Sequence, residues 1–382
     1  MTNDPMTPPA PLPLTILTGF LGSGKTTLLN RLLKDPALQD SVVIINEFGD
    51  IGLDHLLVEK VDEGMVLLSA GCLCCTVRGD LIATLEDLLR KRDNDRILPF
   101  KRVIIETTGL ADPAPILHAV LYHPYLSMRY AVEGVVTVVD AVNGTATLDS
   151  HREAVKQAAV AERIVLSKTD LVTDESKLSE LRERLHQLNP GATLLAADAP
   201  VEAVIAGGLF GLDGKIADVS DWLKTEAVED AERESHAHQH GHHHHHGHGH
   251  GHHHHHDVNR HDERIRAFCL TSAQPIRQGT LDMFLDLLRS SQGSKLLRVK
   301  GLVALAEDPE HPVVIHGVQH VIHVPAVLPR WPSEDRRSRI VFIVDDLERE
   351  TVEKLWNAFL GKPAVDQPDA AALSDNPLSL RR

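Results

Sequence analysis

The chain has 382 residues, 42% of them hydrophobic, with 39 Lys and Arg against 54 Asp and Glu for a formal net charge of -15. That length supports two domains, each with its own core. The acidic balance argues against a nucleic-acid partner, whose phosphates need clustered Lys and Arg, and no apolar run reaches the ~18 residues of a membrane span.

Residues 1–13 are proline-rich and lack both a basic n-region and an apolar h-region. They read as a flexible N-terminus rather than a signal peptide, and a soluble, cytoplasmic protein is expected. From 14 to 230, apolar runs at 15–18, 42–45, 65–68, 103–105, 135–139, 164–166 and 193–196 alternate with helical patterns at 26–34, 81–92, 152–161 and 176–188. Such alternation predicts βαβ units around a mainly parallel sheet, and uninterrupted apolar runs fit strands covered on both faces. Over 231–261 the composition shifts to His and Gly without apolar periodicity, which predicts a flexible linker. Strand-like runs at 265–271, 296–305, 313–318, 321–324 and 340–344, with helical patterns at 281–288 and 351–359, predict a smaller α+β domain over 262–360. Residues 361–382 read as a loose tail.

Gly19-Phe20-Leu21-Gly22-Ser23-Gly24-Lys25-Thr26 matches the phosphate-binding loop G-x-x-x-x-G-K-[ST] in full, between an apolar strand and a helix. The expected fold class is therefore α/β, a P-loop NTPase. Gly19, Gly22, Ser23, Gly24, Lys25, Thr26 and Thr27 are the candidate nucleotide contacts: backbone amides cradle the anion, Lys25 reaches the terminal phosphates and the Thr26 hydroxyl ligates magnesium. The run at 103–105 ends in Glu106-Thr107-Thr108-Gly109. Glu106 is read as the acidic element beside magnesium, directly or through water, and Gly109 as a backbone approach to the γ-phosphate. Ser167-Lys168-Thr169-Asp170 resembles the N-K-x-D guanine signature, with Ser in the first position. Asp170 would accept the two N–H donors of guanine, which adenine lacks, while Lys168 packs along the base. Asp140 is either a further polar group at this sheet edge or a turn cap.

Cys72, Cys74 and Cys75 are three of four cysteines, in the run Gly71-Cys72-Leu73-Cys74-Cys75. A C-x-C-C spacing supplies up to three thiolate ligands of a tetrahedral site for a cation such as zinc. Three cysteines so close cannot all pair, which favours a metal or reactive-thiol role over a disulfide or packing as buried small hydrophobes. Cys269, alone in an apolar run, reads as core. His236, His238, His240, His242, His243, His244, His245, His246, His248, His250, His252, His253, His254, His255 and His256 form the histidine tract, fifteen of the chain's 25. Imidazoles on a flexible backbone offer interchangeable sites for zinc, nickel, cobalt or copper, or the tract is a tolerated linker. His118, His151 and His186 receive no role, and His316, His320 and His323 read as structural, because period-two spacing cannot put all three on one strand face.

These motifs, together with Asn46-Glu47-Phe48-Gly49-Asp50-Ile51-Gly52, Glu106-Thr107-Thr108-Gly109-Leu110-Ala111-Asp112-Pro113, Arg298-Val299-Lys300-Gly301 and His316-Gly317-Val318-Gln319-His320, stand in one order. In that order the chain resembles the CobW-like family of P-loop GTPases, which act as metal chaperones or metal-insertion factors. The resemblance spans about 13–360 and implies a cysteine site for zinc or cobalt. It places Glu47 in a switch segment that brings a carboxylate to that metal. A GTPase that turns GTP into GDP and phosphate and hands zinc to a client metalloprotein is the expected function. Cobalt handling for cobalamin synthesis and a His-rich zinc or nickel store are the alternatives.

Overall fold

The computed structural model describes residues 9–46, 58–60, 66–70, 78–205, 264–323 and 325–361. An eight-stranded sheet is built from β1 (Leu12–Gly19), β2 (Ser41–Asn46), β3 (Val58–Lys60), β4 (Val66–Ala70), β5 (Arg102–Glu106), β6 (Tyr130–Asp140), β7 (Arg163–Ser167) and β8 (Thr193–Ala196), in the order β3-β4-β2-β5-β1-β6-β7-β8. All neighbours run parallel except β3, which is antiparallel to β4.

Helices α1 (Lys25–Leu32), α2 (Arg78–Asp93), α3 (Ala114–Tyr122), α4 (Pro124–Arg129), α5 (Gly144–Ser150), α6 (Arg152–Val160), α7 (Glu175–Leu188) and α8 (Val201–Ile205) cover both faces. Alternation along the strands sorts the core into two clusters. Leu14, Ile16, Val42, Ile44, Val103 and Ile105 face Leu85, Leu89, Val120, Val155 and Leu181. Leu17, Val43, Ile104, Val136 and Val138 face Leu28, Leu29 and Leu32 of α1. None of the described helices is long and apolar enough to cross a membrane.

The second sheet comprises β9 (Ile265–Ser272), β10 (Leu296–Val303), β11 (Val313–Val318), β12 (Val321–Ile322), β13 (Ala326–Val327) and β14 (Ser338–Asp345). Its order is β12-β11-β10-β14-β9, with β13 also pairing β11, all antiparallel. On one face Phe268, Phe342 and Val299 pack against Phe284 of α9 (Gln278–Gln292) and Trp356 of α10 (Arg349–Phe359). On the other, Leu297, Val318, Val321 and Ile343 join the apolar cluster of the first sheet. Every residue of β10 is buried, because this strand is covered from both sides. Cys269 is buried in β9.

Candidate nucleotide site

The eight-residue run of β1 stops at Gly19, where the backbone turns to φ 142°. A Cβ there would lie 2.4 Å from Val138 O, so only glycine fits where β1 gives way to the loop. The loop ends at Gly24, whose left-handed conformation starts α1 without any side-chain cap. The first N–H groups of α1 are thus left for an outside acceptor, at the positive end of the helix dipole. Lys25 is buried, and its Nζ donates to Gly19 O at 2.9 Å and Phe20 O at 3.1 Å. Burial lowers its pKa, and the charge of Glu106 partly offsets this. An incoming phosphate would stabilise the ammonium further.

Thr26 and Thr27 are exposed on the first turn of α1. The Thr26 hydroxyl donates to Oε1 of buried Glu106 at 2.8 Å. A hydroxyl held this way keeps its lone pairs for a cation, and Ser23 Oγ and Thr108 Oγ1 nearby are buried without a hydrogen-bond partner among the described residues. An uncapped helix start, two orphaned hydroxyls and an oriented Thr26–Glu106 pair fit a nucleoside triphosphate with magnesium.

Beyond β5 the chain runs over the phosphate loop. Thr107 Oγ1 donates to Thr18 Oγ1 at 2.8 Å, and a Cβ on Gly109 would meet Leu21 N at 2.5 Å. Gly109 is therefore in backbone contact with the loop. Gln157 of α6, itself buried, donates through Nε2 to Gly109 O at 3.2 Å and Ala111 O at 3.0 Å. Nothing in the sequence pattern singled out Gln157 beyond its being a polar residue on an otherwise apolar face of α6.

The segment after β7 closes the site. Ser167 Oγ donates to Ser23 O at 2.5 Å, so this serine ties the guanine-type motif to the phosphate loop. Lys168, at φ 56°, donates to Gly22 O at 2.8 Å and Asp140 Oδ2 at 2.7 Å. Asp140 fills both of its expected roles: it pairs with Lys168 and also accepts from Val142 N at 2.8 Å and Asn143 N at 3.2 Å. Burial opposes ionisation of Asp140, but Lys168, Asn143 and the two amides outweigh it and hold the carboxyl below its usual range. Asp170 is exposed in the short turn Thr169–Leu171, with no hydrogen bond or ion pair among the described residues. A cavity of about 270 Å³, lined by Phe20, Gly22, Asp140, Asn143, Gln157 and Lys168, opens beside the loop. Lys25, Thr26 and Glu106 do not line it, so it is adjacent to the phosphate cradle rather than part of it.

Glu47, Cys72, Cys74, Cys75 and the histidines from His236 to His256 lie outside the described residues. Among the described residues no group of three His, Cys, Asp or Glu is placed to hold a metal. The strands that lead towards Glu47 and Cys72 in the chain are adjacent: Asn46, the last residue of β2, is the Cα partner of Ala70, the last of β4. His316 and His323 stack at 4.5 Å, and His151 stacks on Phe20 of the phosphate loop at 4.3 Å.

Residues 13–196 match the family described as CobW/HypB/UreG, nucleotide-binding domain, and residues 265–360 match the cobalamin synthesis protein cobW C-terminal domain. The zinc chaperone YjiA of Escherichia coli (strain K12) is 30% identical over 342 residues, covering 90% of this chain and 96% of that protein. The zinc-regulated GTPase metalloprotein activator 1 of Schizosaccharomyces pombe is 37% identical over 186 residues, 47% of this chain and 44% of that one. The crystal structure of Zn(II)-bound YjiA GTPase from E. coli superposes with a TM-score of 0.65 at 26% identity, covering 92% of this chain and 99% of that one. With both family matches in order and a 30% identical relative aligned along nearly its whole length, the chain belongs to the CobW family of P-loop GTPases, with a CobW C-terminal domain.

Proposed function

We propose that this protein is a GTP-hydrolysing metallochaperone that takes up zinc at Cys72, Cys74 and Cys75 and releases it to a client protein under nucleotide control. The observation that carries the reading is the assembly of Lys25, Thr26, Glu106 and Gly109 around the phosphate loop, with Ser167 binding the guanine-type motif to it. Zinc-handling relatives of the same family support the choice of metal.

Phosphoryl transfer needs positioning and charge stabilisation more than covalent chemistry. Lys25 leaves the carbonyls of Gly19 and Phe20 to neutralise the β- and γ-phosphates. Thr26 and Glu106 would hold magnesium, which when bound supplies charge neutralisation across those phosphates. Gly109 brings a backbone amide towards the γ-phosphate, and Asp170 accepts from the guanine edge.

The coupling to metal rests on strand ends. Asn46 and Ala70 are paired, Glu47 follows the first by one residue and Cys72 the second by two. With about 3.8 Å between successive Cα atoms, the carboxylate and the first thiolate start from neighbouring points. A γ-phosphate that orders the segment bearing Glu47 thereby completes the zinc shell, and its loss opens it. Coupling of this kind is reciprocal and amounts to roughly 1–3 kcal/mol.

The test is a zinc competition titration under reducing conditions on protein lacking residues 236–256, whose imidazoles would otherwise mask the thiolate site. Zinc should bind about 5- to 150-fold more tightly with a non-hydrolysable GTP analogue than with GDP. Equal affinities in the two nucleotide states would rule out nucleotide-gated release.

A further inference from the structure

The loop that follows Glu106 is held from two sides by groups that trace back to the C-terminal domain. Asp112, at the loop's far end, accepts from Ala114 N through Oδ1 at 2.9 Å and so caps the start of α3. Its other oxygen, Oδ2, accepts from Gln319 Nε2 at 2.7 Å, a contact 207 residues away in sequence. Gln319 sits at the tip of the β11–β12 hairpin in a left-handed conformation, φ 53°, with its own N–H bonded to Leu297 O at 3.1 Å. Its side chain therefore projects from a fixed point.

The same hairpin grips the other end of α3. Tyr122 OH donates to Ile322 O at 3.0 Å and accepts from Ile322 N at 3.1 Å. The second route runs through α6: Gln157 binds the carbonyls of Gly109 and Ala111, and three residues on, Val160 O accepts from Arg298 of β10. The loop, which meets the phosphate loop at Gly109, is thus tied to the C-terminal sheet through both α3 and α6.

We propose that Gln319 is a positioning residue for GTP hydrolysis, acting through Asp112 to hold Gly109 against the phosphate loop, so that the C-terminal domain sets the turnover rate. This rests on the reading of the protein as a GTPase. A hydrogen bond to a carboxylate is stronger than one between neutral groups, and one oriented on the loop that meets the γ-phosphate acts on the transition state more than on nucleotide binding. Gln319→Glu sets a carboxylate against Asp112 and repels it. Gln319→Ala only removes the bond.

The experiment measures steady-state GTP turnover and thermal midpoint on the full chain. Gln319→Glu should lower kcat roughly tenfold with KM and midpoint nearly unchanged, and Gln319→Ala should fall between it and the unmodified protein. The paired variant Asp112→Asn with Gln319→Glu reverses the bond, since the Asn Nδ2 donates to the new carboxylate while Oδ1 still caps Ala114. It should regain most of the lost kcat. Unchanged kcat in both single variants, a paired variant no better than Gln319→Glu, or a kcat loss that merely tracks a lowered midpoint would each overturn the positioning role while leaving the GTPase reading intact. Absence of GTP turnover in the unmodified protein would instead sink that reading, and this inference with it.

Discussion

Within the guanine-type motif Ser167, Lys168 and Asp170 have separate tasks, and of these only Asp170 is exposed. Ser167 is bound to Ser23 O, and Lys168 is fixed between Gly22 O and Asp140. Asp170 alone presents an exposed carboxylate without a partner among the described residues. Replacing it with Asn keeps the shape but turns one acceptor into a donor, which opposes a guanine N–H. Hydrogen bonds to a charged group contribute about 1.5–3 kcal/mol, so Asp170→Asn should weaken GTP binding roughly 10- to 100-fold and leave ATP binding where it was. Equilibrium titrations with both nucleotides decide it: if the unmodified protein binds ATP and GTP equally well, the guanine assignment is wrong.

Between elements, the decisive contact is backbone on backbone. Gly109, in the connection from β5 to α3, leaves no room for a Cβ, which would lie 2.5 Å from Leu21 N and 2.6 Å from Leu21 Cα. Main chain cannot swing aside as a flexible side-chain end does. Gly109→Ala should push the two loops apart at a cost of about 1–3 kcal/mol, seen in urea denaturation, and should lower single-turnover GTP hydrolysis more than it lowers GTP affinity. Hydrolysis at the unmodified rate would separate Gly109 from the chemistry. Strands β1, β2, β5, β6 and β7 are legible in the sequence because each is a continuous apolar run, and the phosphate loop because its residue types are dictated by the anion. Helix α5 has only Leu148 and Gly144 buried, too little apolar pattern to read, and β3 is three residues long. The pairs that close the site were not legible at all: Ser167 meets Ser23 across 144 residues, and Gln157 reaches Gly109 from 48 residues away. His316 and His323 read only as structural residues on strands, and the β11–β12 hairpin sets them opposite each other, with His323 N bonded to His316 O at 2.8 Å.

At the scale of the whole molecule, that histidine pair belongs to a polar cluster where the two sheets meet. Arg298 of β10 is bonded to Val160 O and pairs with Glu162, and His316 Nε2 lies 3.5 Å from Glu162 Oε1. Burial lowers the pKa of His323 to about 4, helped by the charge of Arg298. Burial likewise takes His316 well below its ordinary 6.5, with His323, Arg298 and Lys300 adding to the effect. Both imidazoles are therefore neutral in the folded protein, whereas in the unfolded chain they titrate near 6.5. As pH falls below about 6.5 the unfolded chain binds more protons than the folded one, so stability is full above that pH and declines towards about 4. His323 alone should contribute a loss of about 2 kcal/mol by pH 5, with a further loss from His316. The measurement is urea denaturation at pH 7.5 and pH 5.0 for the unmodified chain and for His323→Gln, whose side chain does not titrate. Every other ionisable group is common to the two proteins, His316 included, so the difference between their pH slopes isolates His323; the variant should lose distinctly less stability on acidification. Parallel slopes would mean that the cluster joining the GTPase sheet to the C-terminal sheet does not exclude protons, and that acid acts on this protein elsewhere.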